Sequence, residues 1–310
     1  MAGSVSALLL AAACLGAGCQ PDARRFEFES PHMGTLFRIV LYASDSLAAD
    51  TAAQAAFARV EALNAILSDY VPDSELNRLS DTAGQDTFVT VSDDLWTVLR
   101  RAQDVSQATD GAFDVTAGQL TRLWRRAIRR NELPDSAEIA RARATVGYES
   151  IVFDSTGVIG SEPGGRVRRV RLQRAGTRLD LGGIAKGYAA DAALAVLQER
   201  GFHRALVDAG GDIVAGAPPP DRDGWLVDLP GAETTSLANG AVAVSGDTYR
   251  FVEAGGTRYS HIIDPQTGYG TTRVPTVVYF ATNAMTADAW ASAQLVLEAR
   301  IMSHPSDKTP

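Results

Sequence analysis

Cysteine is nearly absent. The 310-residue chain carries two, Cys14 and Cys19, both at its start, so neither a disulfide nor a cysteine-bound metal can serve the folded body. A basic excess is missing as well. The formal net charge is −8, which disfavours nucleic acid as a partner, because that binding neutralises phosphates with Lys and Arg. The apolar run over residues 7–17 is too short to span a bilayer. There is no internal repeat, and the one linker-like stretch is residues 216–223. With 45% hydrophobic residues, the chain can still bury a sizeable core as one large domain or two small ones.

The start of the chain reads as an export signal. The apolar run leads into Gly16-Ala17-Gly18 just before Cys19, which resembles a bacterial lipobox. The expectation is a signal peptide over residues 1–18, acylation of Cys19 and a tether over residues 19–30. The protein would then be a lipoprotein anchored to the inner membrane of a bacterial envelope, facing the periplasm or exterior. Gly16 stands where a large aliphatic residue is usual, and no Lys or Arg precedes the run. A plainly cleaved signal, or a start codon placed past a basic region, therefore stays open, and either one still implies export.

Periodicity supplies the rest of the outline. Residues 36–42 read as a strand, and residues 51–67 as a helix through Ala53, Phe57, Val60, Leu63 and Leu67. Ser92 caps a second helix, with Asp93 and Asp94 in its first turn. A third covers 116–129, and a fourth starts behind Pro134 with Asp135 and Glu138 as a capping box and runs to about Gly147. Short β-rich runs follow at 151–154, 167–173 and 178–181, then a helix at 184–200 that stops on Gly201. Strands are expected at 205–208, 225–229, 241–245, 249–253 and 276–281, and a last helix from Ala284. Helices early and strands late predict an α+β fold with mixed or largely antiparallel sheets rather than a regular βαβ wind.

Several segments carry polar groups suited to chemistry, each with a plainer reading beside it. Gly182-Gly183-Ile184-Ala185-Lys186-Gly187 joins an expected strand to a helix, so free N–H groups and Lys186 face a phosphate, or the segment is only a tight turn with a solvated lysine. Asp288 and Ser292, at i and i+4, share a helix face suited to a hard cation, or form a polar pair at a helix start. His261, one of 4 histidines, sits before an Asp-Pro turn as a general base, or is satisfied by a neighbouring carbonyl. Tyr70, in a loop with Asp69 and Asp73, offers a ring for stacking, although turn chemistry explains this loop and 109–116 equally. The arginine-rich stretches 122–130 and 166–178 read as solvated faces of a helix and a strand.

In order, these segments resemble the FAD:protein FMN transferase family, also called the ApbE or thiamine-biosynthesis lipoprotein family. The matching pieces are Met33-Gly34-Thr35, Tyr70-Val71-Pro72-Asp73-Ser74-Glu75-Leu76 and Thr109-Asp110-Gly111-Ala112-Phe113-Asp114. They continue with Asp180-Leu181-Gly182-Gly183-Ile184-Ala185-Lys186-Gly187-Tyr188, Asp208-Ala209-Gly210-Gly211-Asp212, Ser260-His261-Ile262-Ile263-Asp264-Pro265 and Met285-Thr286-Ala287-Asp288.

The resemblance implies one transferase domain over residues 31–310 that binds FAD with Mg²⁺, releases AMP and leaves FMN on a Thr or Ser of a target. Exported flavoproteins, such as subunits of membrane redox complexes, are the implied targets. By motif position, Met33, Tyr70, Ala112, Phe113, Asp114, Asp180, Lys186, His261 and Ile262 would contact FAD. Gly183 through its carbonyl, Asp288 and Ser292 would hold the metal. Lys186 would offset charge at the pyrophosphate, and His261 would be the base, with Asp264 or Asp180 as the alternative. Ser292 replaces the family's usual Thr and keeps its hydroxyl oxygen. The polar stub from Ile301 stands where the family continues, so the domain is expected to be short at its C-terminus. Two other readings stay open: an FAD pyrophosphatase giving FMN and AMP, and a non-catalytic flavin-binding lipoprotein.

Overall fold

A computed structural model describes residues 23–158, 166–230, 233–246, 251–272 and 276–303. The proposed signal peptide and Cys19 lie outside the described residues. Strand β2 (Thr35–Ala43) alternates Phe37, Ile39 and Leu41 on one face with Val40 and Tyr42 on the other, the period-2 pattern of a strand buried on both sides. It pairs antiparallel with β1 (Arg24–His32) along the full length of both. Met33 and Gly34 join them with φ of 48° and 76°, the left-handed pair that a two-residue hairpin turn requires.

β1 therefore takes up residues 24–30 of the segment read as a tether. Alternation of Phe26 and Phe28 against the main core, with nine paired positions to β2, outweighs the polar character of Arg24 and Arg25.

The six-stranded sheet continues in the order β1, β2, β6 (Ala205–Asp208), β7 (Asp212–Ala215), β10 (Gly240–Ser245) and β13 (Val277–Ala281). Every neighbouring pair is antiparallel, consistent with the α+β class. Helices α1 (Ser46–Leu67), α6 (Ala185–Glu199) and α7 (Ala284–Ser303) cover one face. Ala49, Ala52, Ala53 and Ala56 of α1 and Ala189, Ala190 and Ala193 of α6 are buried, and such small side chains allow close helix approach. The hairpin of β8 (Trp225–Val227) and β9 (Thr235–Leu237) covers the other face, where Trp225, Val227 and Leu237 meet Val40, Ile213 and Val242.

Smaller elements complete the fold: α2 (Glu75–Ser80), α3 (Asp93–Ala108), and a sheet of β3 (Val89–Thr90), β5 (Arg166–Leu172) and β4 (Ile151–Val158). A satellite core forms where α4 (Gly118–Arg130) and α5 (Ser136–Arg143) meet the hairpin β11 (Phe251–Ala254) and β12 (Thr257–Ser260), through Leu120, Leu123, Trp124, Ile139 and Val252.

Two of the expected caps form. Ser92 accepts the Leu95 N–H at 3.2 Å, and Asp135 accepts those of Ala137 and Glu138. Residues 178–181 are not a strand: Asp180 turns back to accept the Gly182 N–H at 2.8 Å, making a tight turn, and only an isolated bridge at Arg178 remains. α5 stops at Arg143, short of Gly147.

Candidate functional site

One cleft of about 910 Å³, at the upper end for small-molecule sites, runs from the β1–β2 turn to α7. Met33, Tyr70, Ala112, Phe113, Asp114, Asp180, Gly183, Lys186, His261, Ile262, Asp288 and Ser292 all line it. Of the alternative bases, Asp180 lines the cleft as well. Asp264 is instead occupied by Arg300 of α7, at 2.6 and 3.2 Å.

The floor is built by α6, α7 and β7. Lys186, in the first turn of α6, is ion-paired with Asp212 and lies 3.7 Å from Asp288. The side chains of Asp212 and Asp288 are almost fully buried, while 30% of the Lys186 side chain remains open to the cleft. Burial alone would pull the lysine's pKa down, but the two carboxylates outweigh it and hold the ammonium above its ordinary value. Burial raises Asp288, and the charge of Asp212 adds to the effect against Lys186. Burial likewise raises Asp212, opposed by Lys186. Two carboxylates around one ammonium leave surplus negative charge in a confined place, which a bound cation would relieve.

Asp288 accepts the Gly187 N–H at 3.2 Å, which links α7 to α6. Gly183 packs against the same part of α7: a Cβ there would lie 3.1 Å from Ser292 Oγ and 3.2 Å from the Phe113 ring. The Asp288 carboxylate, the Ser292 hydroxyl and the Gly183 backbone thus line the same cleft. This donor set suits a hard cation whose remaining ligands are water and substrate oxygens. Among the described residues no group of three or more His, Cys, Asp or Glu could hold a metal.

The rim is built by loops. Tyr70 is 68% exposed, and the Arg125 guanidinium lies 4.3 Å from its ring centroid. Arg125 also pairs with Asp69 and, at 2.9 Å, with Asp180. Burial opposes the Arg125 charge, yet Asp180 and Asp69 more than offset it. Asp114 accepts from the Thr116 hydroxyl and N–H and from the Tyr148 N–H, which fixes the loop carrying Ala112 and Phe113. Burial raises its pKa against those hydrogen bonds. The His261 loop is pinned at two points beyond the histidine: Trp124 donates its indole N–H to the Gly268 carbonyl at 2.8 Å, and Arg300 holds Asp264.

Residues 33–304 match the model of the ApbE family. The chain belongs to the ApbE family. An FAD:protein FMN transferase of Vibrio cholerae is 31% identical over 300 residues, spanning 93% of this chain and 86% of that protein. One of Treponema pallidum is 31% identical over 310 residues, spanning 94% and 84%. A solved ApbE protein of Thermotoga maritima superposes with a TM-score of 0.78 at 31% identity, covering 90% of this chain and 89% of its own. The flavin transferase ApbE of Vibrio cholerae gives 0.74 at 28%, covering 93% and 92%.

Within this ApbE-family cleft, Asp212 and Arg125 are functional residues that the sequence alone does not single out. Asp212 appears there only as the end of a motif. Arg125 reads as part of a solvated helix face, yet Thr121, Arg125 and Ile128 line the cleft together. Their i, i+4, i+7 spacing beside the Leu120–Trp124 stripe marks a second, half-polar face. That spacing was the available clue.

Proposed function

We propose that this chain transfers the FMN half of FAD to a Thr or Ser hydroxyl of another protein, releases AMP, and uses Mg²⁺. The observation that carries the reading is the junction of two unlike regions in one cleft: an open aromatic rim at Tyr70 and a buried lysine–carboxylate floor at Lys186 and Asp288. A planar flavin suits the first, and a pyrophosphate suits the second.

In the proposed reaction the target hydroxyl oxygen bonds to the flavin-side phosphorus. The bond from that phosphorus to the bridging oxygen breaks, its electron pair leaves on AMP, and the hydroxyl proton passes to His261. Lys186 would meet the negative charge of the pyrophosphate from the cleft floor; the N–H groups expected to help it are already taken, those of Ile184 and Ala185 by the Leu181 carbonyl and that of Gly187 by Asp288. Asp288, Ser292 and the Gly183 carbonyl would hold Mg²⁺, which when bound supplies charge neutralisation at the phosphate oxygens. Phosphoryl transfer of this kind relies mostly on positioning and electrostatics, which agrees with a floor of fixed charges.

The test is incubation of the protein with FAD, Mg²⁺ and a Thr-containing exported flavoprotein subunit, followed by the acceptor's intact mass and AMP release. The expected result is an acceptor heavier by FMN less water, with matching AMP. AMP and free FMN without acceptor labelling would make it a pyrophosphatase, and neither product would make it a flavin carrier.

We also propose that Cys19 carries a lipid anchor. Among the described residues no helix is long and apolar enough to cross a membrane, and Cys19→Ser is expected to move the protein from the membrane fraction to the soluble one. Unchanged membrane association rejects the anchor.

A further inference from the structure

The floor of the cleft is divided between two helices. Lys186 belongs to α6, while Asp288 and Ser292 belong to α7, so the site's geometry depends on how those helices are registered. One restraint is steric. A Cβ on Gly187 would lie 2.2 Å from the Ala284 carbonyl oxygen, so the start of α7 rests directly on the first turn of α6.

A second restraint is polar. Asp191, one turn further along α6, reaches across to the first turn of α7. Its Oδ1 accepts the Ala284 N–H at 2.8 Å, and its Oδ2 accepts the Met285 N–H at 2.9 Å. These are orphan donors of a helix start, and a carboxylate also suits the positive end of the helix. Yet α7 already has a local cap, since the Asn283 side chain accepts the Thr286 N–H at 2.9 Å. The helix therefore begins on its own account. What Asp191 adds is a two-pronged link from the lysine-bearing helix to the helix bearing Asp288, one turn before that carboxylate.

We propose that Asp191 is a positioning residue of the transfer site: its fork on Ala284 and Met285 sets Asp288 and Ser292 against Lys186 and Gly183, and thereby sets affinity for the divalent cation. This rests on the Mg²⁺ reading above. Asp191→Asn turns an NH₂ toward one of the two N–H groups, so only one prong survives and α7 is free to shift. Residues that orient metal ligands without touching the metal typically change affinity about 10- to 100-fold.

The experiment titrates Mg²⁺ into the full-length protein holding FAD at pH 7.5, reading the Mg²⁺-dependent rise in Tm alongside AMP release. Asp191→Asn is expected to raise the half-saturating Mg²⁺ concentration at least about tenfold. FAD binding in EDTA, followed by flavin fluorescence, should stay within about twofold, because the rim is untouched. Asn283→Ala is the control: it strips the local cap from the same helix end, so it lowers Tm, but it leaves the α6–α7 link and should keep the wild-type Mg²⁺ midpoint. Asp191→Glu keeps both acceptors one methylene further out; it is the variant to read where Asp191→Asn does not fold, and its midpoint should also rise. Asp191 variants with the wild-type midpoint, or an equal shift in Asn283→Ala, would reduce Asp191 to an ordinary helix cap and overturn the proposal. Wild-type protein with no Mg²⁺ response would instead overturn the metal reading, and that is seen before any variant is made.

Discussion

The floor and the rim of the cleft are held in opposite ways. On the floor, Lys186, Asp212 and Asp288 are carried by regular elements, packed deeply, and in contact with one another. On the rim, Tyr70 stands in a loop, largely exposed, and is steadied from beside by Arg125. Buried charges in fixed positions act strongly and need no rearrangement as the reaction proceeds. An exposed ring on a loop contributes contact area and selectivity. On the proposed reading the floor would stabilise charge on the pyrophosphate and Tyr70 on the rim would serve recognition, with His261 bringing the base from a rim loop, and variants of each should fail differently.

The largest effect is expected at Asp288. Asp288→Ala removes the single carboxylate of the proposed cation set, and turnover should fall below detection at any workable Mg²⁺ concentration. The fold should survive, because the change leaves Lys186 paired with Asp212 and removes the surplus buried charge. Turnover at the wild-type rate with unchanged Mg²⁺ dependence would remove Asp288 from the metal site. The next effect is at His261, where the base is needed in the transition state more than in the ground state. His261→Asn should lower kcat by about 10²- to 10⁴-fold while FAD affinity stays within a few-fold. Lys186→Ala should lose both, because on the proposed reading its charge would meet the pyrophosphate before reaction begins. If His261→Asn fails to hold FAD while the bound fraction reacts normally, His261 belongs to recognition and Asp180 becomes the candidate base.

Long periodic segments were legible in the sequence, and short or interdependent ones were not. α1, α3 and α6 announce themselves by apolar spacing, although α1 starts at Ser46 behind Asp45 rather than at residue 51, whereas α2 has 6 residues and β9 has 3, too few for any period to show. Every FAD and metal contact taken from the family resemblance lines one cleft, while the alternative base Asp264 does not, yet the resemblance says nothing of what holds those residues in place. Asp191 and Ala284 stand 93 positions apart, and Lys186 and Asp212 stand 26 apart. Nothing local distinguishes Asp191 from a solvated helix residue until α7 is laid against it. Arg125 has a local clue in its spacing on α4, but its partners Asp69 and Asp180 come from separate loops and could not be read from it.

A smaller effect should come from the rim. Tyr70→Ala is expected to raise the Kd for FAD roughly 5- to 30-fold, about 1–2 kcal/mol of stacking and apolar contact, while the bound fraction reacts within about twofold of wild type. Arg125→Lys keeps the charge but loses the planar fork that spans Asp69, Asp180 and the Tyr70 ring, so it should shift Kd in the same direction by less. Fluorescence titration with single-turnover AMP release separates binding from reaction. A fall in the bound-state rate matching that of Lys186→Ala would erase the division between rim and floor.

The smallest effect concerns stability rather than turnover. Burial lifts the Asp191 carboxyl from 3.8 to about 6, against the pull of the Met285 and Ala284 N–H groups. Between those values the folded chain keeps a proton that the unfolded chain has released. Folding is therefore favoured by this group most at low pH, and that contribution is lost as pH rises through about 6. Asp69, Asp114, Asp212 and Asp288 are raised in the same direction, so the wild-type profile alone does not isolate Asp191. The difference between wild type and Asp191→Asn does, because the other groups are common to both. The variant lacks the titration, so its Tm should gain a few degrees on wild type between pH 4.5 and pH 7 (roughly, from linkage), even as its Mg²⁺ midpoint worsens. A Tm difference that stays flat across that range would mean Asp191 is ionised throughout and that its carboxylate fork costs the floor nothing in desolvation.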